Sequence, residues 1–195
     1  MLTDIILIVI AYLIGSFPSA LVIGKLFYQT DIRMSGSGNL GSTNAFRILG
    51  KKGGVIVLVL DILKGGIVVL LAMHLDVSLH PLIISIFALI GHVYPVFANF
   101  KGGKAVATAA GIILFYTPAL FGVLLIIFLP TLKIWKMVSL ASSVIAVTTI
   151  AIVWLSGYFD LTAQIMFTLF ALLVIIKHIP NFKRIFNGTE NKIKI

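Results

Sequence analysis

AVATAAGIILFYTPALFGVLLIIFLPTL, residues 105–132, decides the fold of this chain. The stretch carries no charged residue, so it is either one long helix or a hairpin of two short ones. Thr117-Pro118 lies near its middle, and a residue before proline disfavours the helical region, which permits a turn there. The side of the membrane assigned to every later loop depends on that dipeptide.

Membrane insertion follows from composition. The chain of 195 residues is 60% hydrophobic and only 11% charged, whereas soluble domains carry roughly 25% charged residues. Residues 5–14 and 53–73 are further apolar runs with few or no charges. The absence of cysteine excludes disulfides, thiolate catalysis and cysteine-ligated zinc. MLTDIILIVI has no basic region ahead of its apolar run, so it reads as a mature first span rather than a cleaved signal peptide. Neither an internal repeat nor a low-complexity segment stands out.

With a break at Thr117-Pro118, helices are expected near 4–24, 53–75, 81–98, 105–117, 118–132, 138–156 and 161–177. Those seven spans place Lys25, Arg33, Arg47, Lys51, Lys52, Lys101, Lys104, Lys133, Lys136, Lys177, Lys183, Arg184, Lys192 and Lys194 on one side. Only Lys64 falls within a span, and Asp4, Asp76 and Asp160 fall on the other side. Without the break, the basic tail would move outside, against the positive-inside rule. The expected fold is therefore an all-α integral membrane protein with seven transmembrane helices, its N-terminus outside and its C-terminus cytoplasmic. Its central hairpin would have helices only ~20 Å long at ~1.5 Å per residue, partly embedded, tilted or sited where the bilayer thins. The whole chain forms one polytopic domain in this reading, and any chemistry uses loops and helix ends at the cytoplasmic face.

Four polar segments then share that face. Loop 25–52 holds SGSGNLGSTNAFR (35–47), loop 99–104 reads NFKGGK, 133–137 reads KIWKM ahead of VSLASS, and the tail reads KHIPNFKRIFNGTENK. Glycines let consecutive backbone N–H groups converge on an anion, and Ser or Thr hydroxyls add donors. A lysine at a helix start adds a point charge to the helix dipole, which fits Gly102, Gly103 and Lys104. Arg47 suits two-pronged contact with a phosphate or carboxylate.

Two nucleotide motifs are excluded. Gly36-Ser37-Gly38-Asn39-Leu40-Gly41 matches G-x-G-x-x-G, but it follows a transmembrane helix rather than a buried strand of a βαβ unit. Gly102-Gly103-Lys104 lacks a Walker A frame, since positions 98 and 105 are both Ala.

SGSGNLGSTNAFRILGKKGG, DILKG, GHVYPVFANFKGGKAVAT, VSLASS and KHIPNFKRIFNGTE, in this order, resemble the bacterial acyl-phosphate:glycerol-3-phosphate acyltransferase (PlsY) family over nearly the whole chain. The resemblance implies a seven-helix inner-membrane enzyme without metal or organic cofactor. It implies transfer of a fatty acyl group from acyl phosphate to the 1-hydroxyl of glycerol 3-phosphate, giving lysophosphatidic acid, the first acylated intermediate of phospholipid synthesis. No nucleic acid and no obligate protein partner are implied.

The residues agree with that chemistry. Both substrates carry phosphate, which suits glycine-rich basic loops, and one carries an alkyl chain, which suits apolar helices. The His-x-x-x-x-Asp pair of other glycerolipid acyltransferases is absent, because the residues five after His74, His80, His92 and His178 are Leu79, Ser85, Phe97 and Lys183. Without a thiol either, direct transfer to the alcohol is simpler than an acyl-enzyme, and the work left is positioning and charge stabilisation. Lys104 and Arg47 are expected to offset phosphate charge, and Ser35, Ser37, Asn39, Thr43 and Asn44 to supply hydrogen bonds, with Gly36, Gly102 and Gly103 shaping the loops. The hydroxyl proton passes either to a substrate phosphate or to His178.

Other residues keep two readings. Asp61 and Lys64, three apart within the second span, are either a functional ion pair or a mutually neutralising one. His92 is either a packing histidine or a substrate contact. Ser139 and Ser142 open a helix, either as caps or, for Ser142, as a phosphate ligand. His178 and Asn181 straddle the end of the last helix as candidate site residues, while Glu190 balances tail lysines. Gly15-Ser16-Phe17-Pro18 is expected to kink the first helix. A small transporter of an anionic solute is the rival reading, but transporters place their sites near the midplane between repeated halves.

Overall fold

A computed structural model describes residues 1–193; Lys194, counted above with the basic tail, lies outside them. The described residues form ten α-helices: α1 (Leu2–Ser16), α2 (Ser19–Tyr28), α3 (Ser42–Ile48), α4 (Gly50–His74), α5 (Pro81–Val93), α6 (Val106–Tyr116), α7 (Pro118–Trp135), α8 (Val138–Leu155), α9 (Leu161–Lys177) and α10 (Ile179–Phe186). They divide into two compact units, one from Met1 to Tyr116 and one from Thr117 onward.

In the first unit, Pro18 cannot donate a backbone hydrogen bond, and the chain bends by 41° between α1 and α2. The kink read from Gly15-Ser16-Phe17-Pro18 is therefore a full break, and the helix expected over 4–24 becomes two. α1 lies against α5, and α4 lies against both α6 and α3. Small residues allow this approach: a Cβ on Gly15 would collide with the Ala88 backbone, and one on Gly111 with the Ile62 carbonyl. Val55, Val59, Leu63 and Ile67 lie four apart on α4 and are exposed, while Val57, Asp61, Lys64 and Val68 of the same helix are buried. Apolar outside and polar inside is the pattern a helix takes when lipid surrounds it.

The far end of this unit is tied by Asp4. Its Oδ1 accepts from the Ser78 and Leu79 backbone N–H groups at 2.7 and 3.1 Å. Its Oδ2 pairs with the N-terminal amine at 2.9 Å.

In the second unit, α8 packs between α7 and α9, and α10 turns back by 50° after α9. Asp160 caps α9 by accepting from the Ala163 N–H at 2.7 Å. Phe167 is fully buried and meets Phe159 and Phe170 edge-on.

The break at Thr117-Pro118 is present, with α6 ending at Tyr116 and α7 starting at Pro118. The expected pair of short helices holds only for α6. α7 runs through Pro130 to Trp135, and its 18 residues reach the length of a membrane span. The helix stops at Lys136, which adopts φ 56°. The helix expected over 81–98 ends at Val93, where Tyr94-Pro95 interrupts it, and resumes as a 3₁₀ turn over Val96–Ala98. The segments read as loops at 25–52 and in the tail contain α3 and α10. Four helices of the described residues are long and apolar enough to cross a membrane, or six if each bent pair is one span.

Candidate active site

The loop between α2 and α3 is folded around one side chain. Asn44, in the first turn of α3, is 2% exposed. Its Oδ1 accepts from the Ser37 N–H at 3.0 Å. Its Nδ2 faces the carbonyls of Ile32, Ser35 and Asn39 at 3.3, 3.2 and 3.1 Å. Asn44, expected among the donors to a phosphate, instead commits its side chain to the loop. Gly36 has φ 64°, and a Cβ there would strike Asn44 Oδ1, so glycine is required by backbone and space together.

The loop's base is set by Asp31, whose carboxylate receives Arg33 Nε at 2.9 Å and Nη2 at 2.6 Å. Hydrogen bonding from Arg33 holds its carboxyl at about 2, far below the usual carboxylate range. Ile32, Leu40, Ala45 and Leu49 are buried in one cluster with Ala20, Leu21 and Ile23 of α2 and with Ala98, so this loop and the segment after α5 pack together. Ser35, Ser37 and Asn39 line the outer turn of the loop, Thr43 lies half-buried in α3, and Arg47 stands exposed in its last turn.

The Gly102-Gly103-Lys104 segment departs from expectation. Its two glycine N–H groups do not point into an open anion nest. Gly102 N–H donates to the Val93 carbonyl at 3.2 Å, and Gly103 N–H to the His92 carbonyl at 3.0 Å. These carbonyls close α5 and have no partner within that helix, so the glycines satisfy them. The close approach requires glycine, since a Cβ on Gly103 would collide with the His92 ring. Lys104 follows directly, half-buried, two residues ahead of α6.

An apolar groove runs along the same unit, walled by Leu13, Ile14 and Phe17, by Leu60, Leu63 and Ile67 of α4, and by Phe97. Lys64 lies at its edge and also lines a small cleft with Ser19, Leu40, His92, Gly102 and Gly103.

The second unit has its own polar centre, organised by a residue that sequence reading gave only a balancing role. Glu190 Oε1 receives Ser139 Oγ and Asn181 Nδ2, each at 2.7 Å, and Oε2 receives Arg184 Nε at 2.8 Å. Burial opposes ionisation, but the hydrogen bonds from Asn181, Ser139 and Arg184 outweigh it and hold the Glu190 carboxyl below its usual value. The only sequence signal was an acid within a basic tail. His178 is 3% exposed at the α9–α10 corner, and its Nδ1 donates to the Val174 carbonyl at 2.8 Å. In the neutral ring this places the lone pair on Nε2. Ser142 Oγ is buried with no hydrogen-bond partner among the described residues.

The fold and these loops define an all-helical protein of the integral membrane class, with polar loops and an apolar groove in its first unit. The sequence matches the family model for Glycerol-3-phosphate acyltransferase over residues 5–188, and the chain belongs to that family. It is 48% identical over 189 residues to a glycerol-3-phosphate acyltransferase of Bacillus subtilis (strain 168), covering 97% of each chain. It is 46% identical to one from Macrococcus caseolyticus (strain JCSC5402), covering 97% of this chain and 96% of the relative. Among solved structures it superposes on the glycerol 3-phosphate form of PlsY, an integral membrane glycerol 3-phosphate acyltransferase, with a TM-score of 0.92 and 35% identity, covering 98% of this chain and 96% of that one. The lysophosphatidic acid form of that enzyme gives a TM-score of 0.89 at 34% identity over the same shares of the two chains. The chain is a bacterial integral membrane protein.

Proposed function

We propose that this protein acylates the 1-hydroxyl of glycerol 3-phosphate with acyl phosphate as donor, releasing lysophosphatidic acid and inorganic phosphate at the start of phospholipid synthesis. The observation that carries the reading is a glycine- and serine-rich loop, wound on Asn44, whose Leu40 lines one cleft with Gly102 and Gly103, in the same unit as an apolar groove. Phosphate and alkyl chain are the two halves of the donor.

In the reaction, the hydroxyl oxygen attacks the acyl carbonyl, the new ester C–O bond forms, and the bond from acyl carbon to phosphate oxygen breaks. Lys104 and Arg47 offset phosphate charge, and Ser35, Ser37, Asn39 and Thr43 donate hydrogen bonds. Asn44 and Gly36 shape the loop; Gly102 and Gly103 set the origin of Lys104. The alkyl chain lies in the groove of Leu13, Leu60, Leu63 and Phe97. The hydroxyl proton goes to the departing phosphate, and His178→Gln tests for a separate part played by that imidazole. No metal or organic cofactor enters this reading.

The chain forms one polytopic enzyme with seven spans, α6 being the short seventh beside the six that length and composition allow. The N-terminus lies outside and the basic loops face the cytoplasm, following the charge distribution; the membrane is the bacterial inner membrane. Supplying the purified protein with glycerol 3-phosphate and, in turn, acyl phosphate, acyl-coenzyme A and acyl-carrier protein tests the donor. Product from acyl phosphate alone is expected. Product from a thioester donor, with none from acyl phosphate, would overturn it.

A further inference from the structure

Beneath the Gly102-Gly103 turn lies a buried cluster that the reaction does not consume. Lys64 Nζ donates in three directions: to Asp61 Oδ1 at 2.8 Å, to the Phe17 carbonyl at 2.9 Å and to His92 Nδ1 at 3.3 Å. An ammonium group has three donors and no acceptor, so the lysine is fully used. The Phe17 carbonyl belongs to the break between α1 and α2, and Ser19, which opens α2, donates its hydroxyl to the same Asp61 oxygen at 2.9 Å. From α6, Thr108 Oγ1 lies 3.0 Å from His92 Nδ1. Asp61 is 1% exposed, Lys64 and His92 6% each, and Thr108 is fully buried.

These contacts fix the state of the imidazole. Because the ammonium can only donate, His92 Nδ1 must be the ring nitrogen with the lone pair, and Nε2 carries the hydrogen. Asp61 Oδ1, at 3.9 Å from Nδ1, is too far to reverse this. The ring's Nε2 edge faces Gly103, close enough that a Cβ on that residue would collide with it. Its own backbone carbonyl meanwhile accepts the Gly103 N–H at 3.0 Å. His92 thus holds the turn from two directions.

We propose that Lys64, itself held by Asp61, locks His92 in the Nε2–H tautomer, and that His92 is a positioning residue that sets the Gly102-Gly103 turn and hence the origin of the Lys104 side chain. The proposal rests on the phosphate-binding role given to Lys104 above. It explains why a lysine is tolerated inside a span: its charge is neutralised by Asp61 and its donors organise a site. Displacement of a charged group by even ~1 Å is enough to cost substantial rate or affinity.

Two measurements on the full-length enzyme in lipid nanodiscs test this. Nitrogen NMR of histidine-labelled protein should report His92 Nδ1 unprotonated and Nε2 protonated; the opposite assignment overturns the tautomer lock. Kinetics of His92→Asn, whose amide can still accept from Lys64 and Thr108 but has nothing beneath Gly103, should show KM for a phosphate-bearing substrate raised about tenfold, with kcat changed less than about threefold. His92→Gln, which reaches further, should recover part of the loss. Wild-type KM in a folded His92→Asn variant overturns the positioning role. Failure of the functional reading is distinct, since it would show as no lysophosphatidic acid from the wild type itself.

Discussion

Asn181 Nδ2 donates to Glu190 Oε1 across 2.7 Å, and this contact closes the C-terminal tail onto the start of α10. Ser139 and Arg184 bind the same carboxylate, so one acid joins α8, α10 and the tail. The Ile193 N–H then reaches the Lys136 carbonyl at 2.7 Å, which fastens the tail to the turn between α7 and α8. Glu190→Ala should release the tail and leave three donors without their acceptor. We expect a lower Tm and faster proteolysis after Asn187, with Asn181→Ala weaker in both assays.

The same carboxylate predicts an acid limit. Because its folded-state value is depressed, its stabilisation is complete above the ordinary glutamate range and is lost as pH falls through the lower folded value. Thermal unfolding followed downward from pH ~6 should show wild type losing stability below pH ~4. Glu190→Gln should start lower and lose less over that interval.

Asn44→Ala should unwind the loop between α2 and α3. The Ser37 N–H and the carbonyls of Ile32, Ser35 and Asn39 would lose their shared partner, at about 1–3 kcal/mol for each buried group left unsatisfied. A higher KM for a phosphate-bearing substrate together with a lower Tm is the expected pair of results. A change in kcat alone, with the fold intact, would instead indicate direct contact with substrate.

Gly36→Ala meets a left-handed backbone and the Asn44 side chain. The backbone term alone costs roughly 1–2 kcal/mol. Activity should fall well below that of Gly122→Ala, whose site on α7 has open space around it and should be near neutral in the same assay.

Much of this was legible from the residues. Charge placed the break at Thr117-Pro118, because only that break put nearly all basic residues on one side, and α6 ends and α7 begins there. The motifs gave the family. What sequence concealed was mostly tertiary. Asn44 reads as one more polar residue of a polar loop until α3 forms and turns its amide inward onto Ser35, Ser37 and Asn39. Gly102 and Gly103 look like an anion nest until α5 ends at Val93 and its last carbonyls claim their N–H groups. Glu190 is distant in sequence from Ser139, and only the turn of α10 brings them together. Lys64 and His92 were separable candidates; their shared hydrogen bond depends on α4 and α5 lying side by side.

Lys104→Ala gives the most direct test of the central claim, that this chain transfers an acyl group between two phosphate-bearing molecules by charge stabilisation from its loops. Purified wild type and variant, each confirmed folded by thermal unfolding, would be given acyl phosphate and glycerol 3-phosphate and assayed for lysophosphatidic acid. The wild type should form it and the folded variant should not. Near-normal product formation by Lys104→Ala would contradict the account.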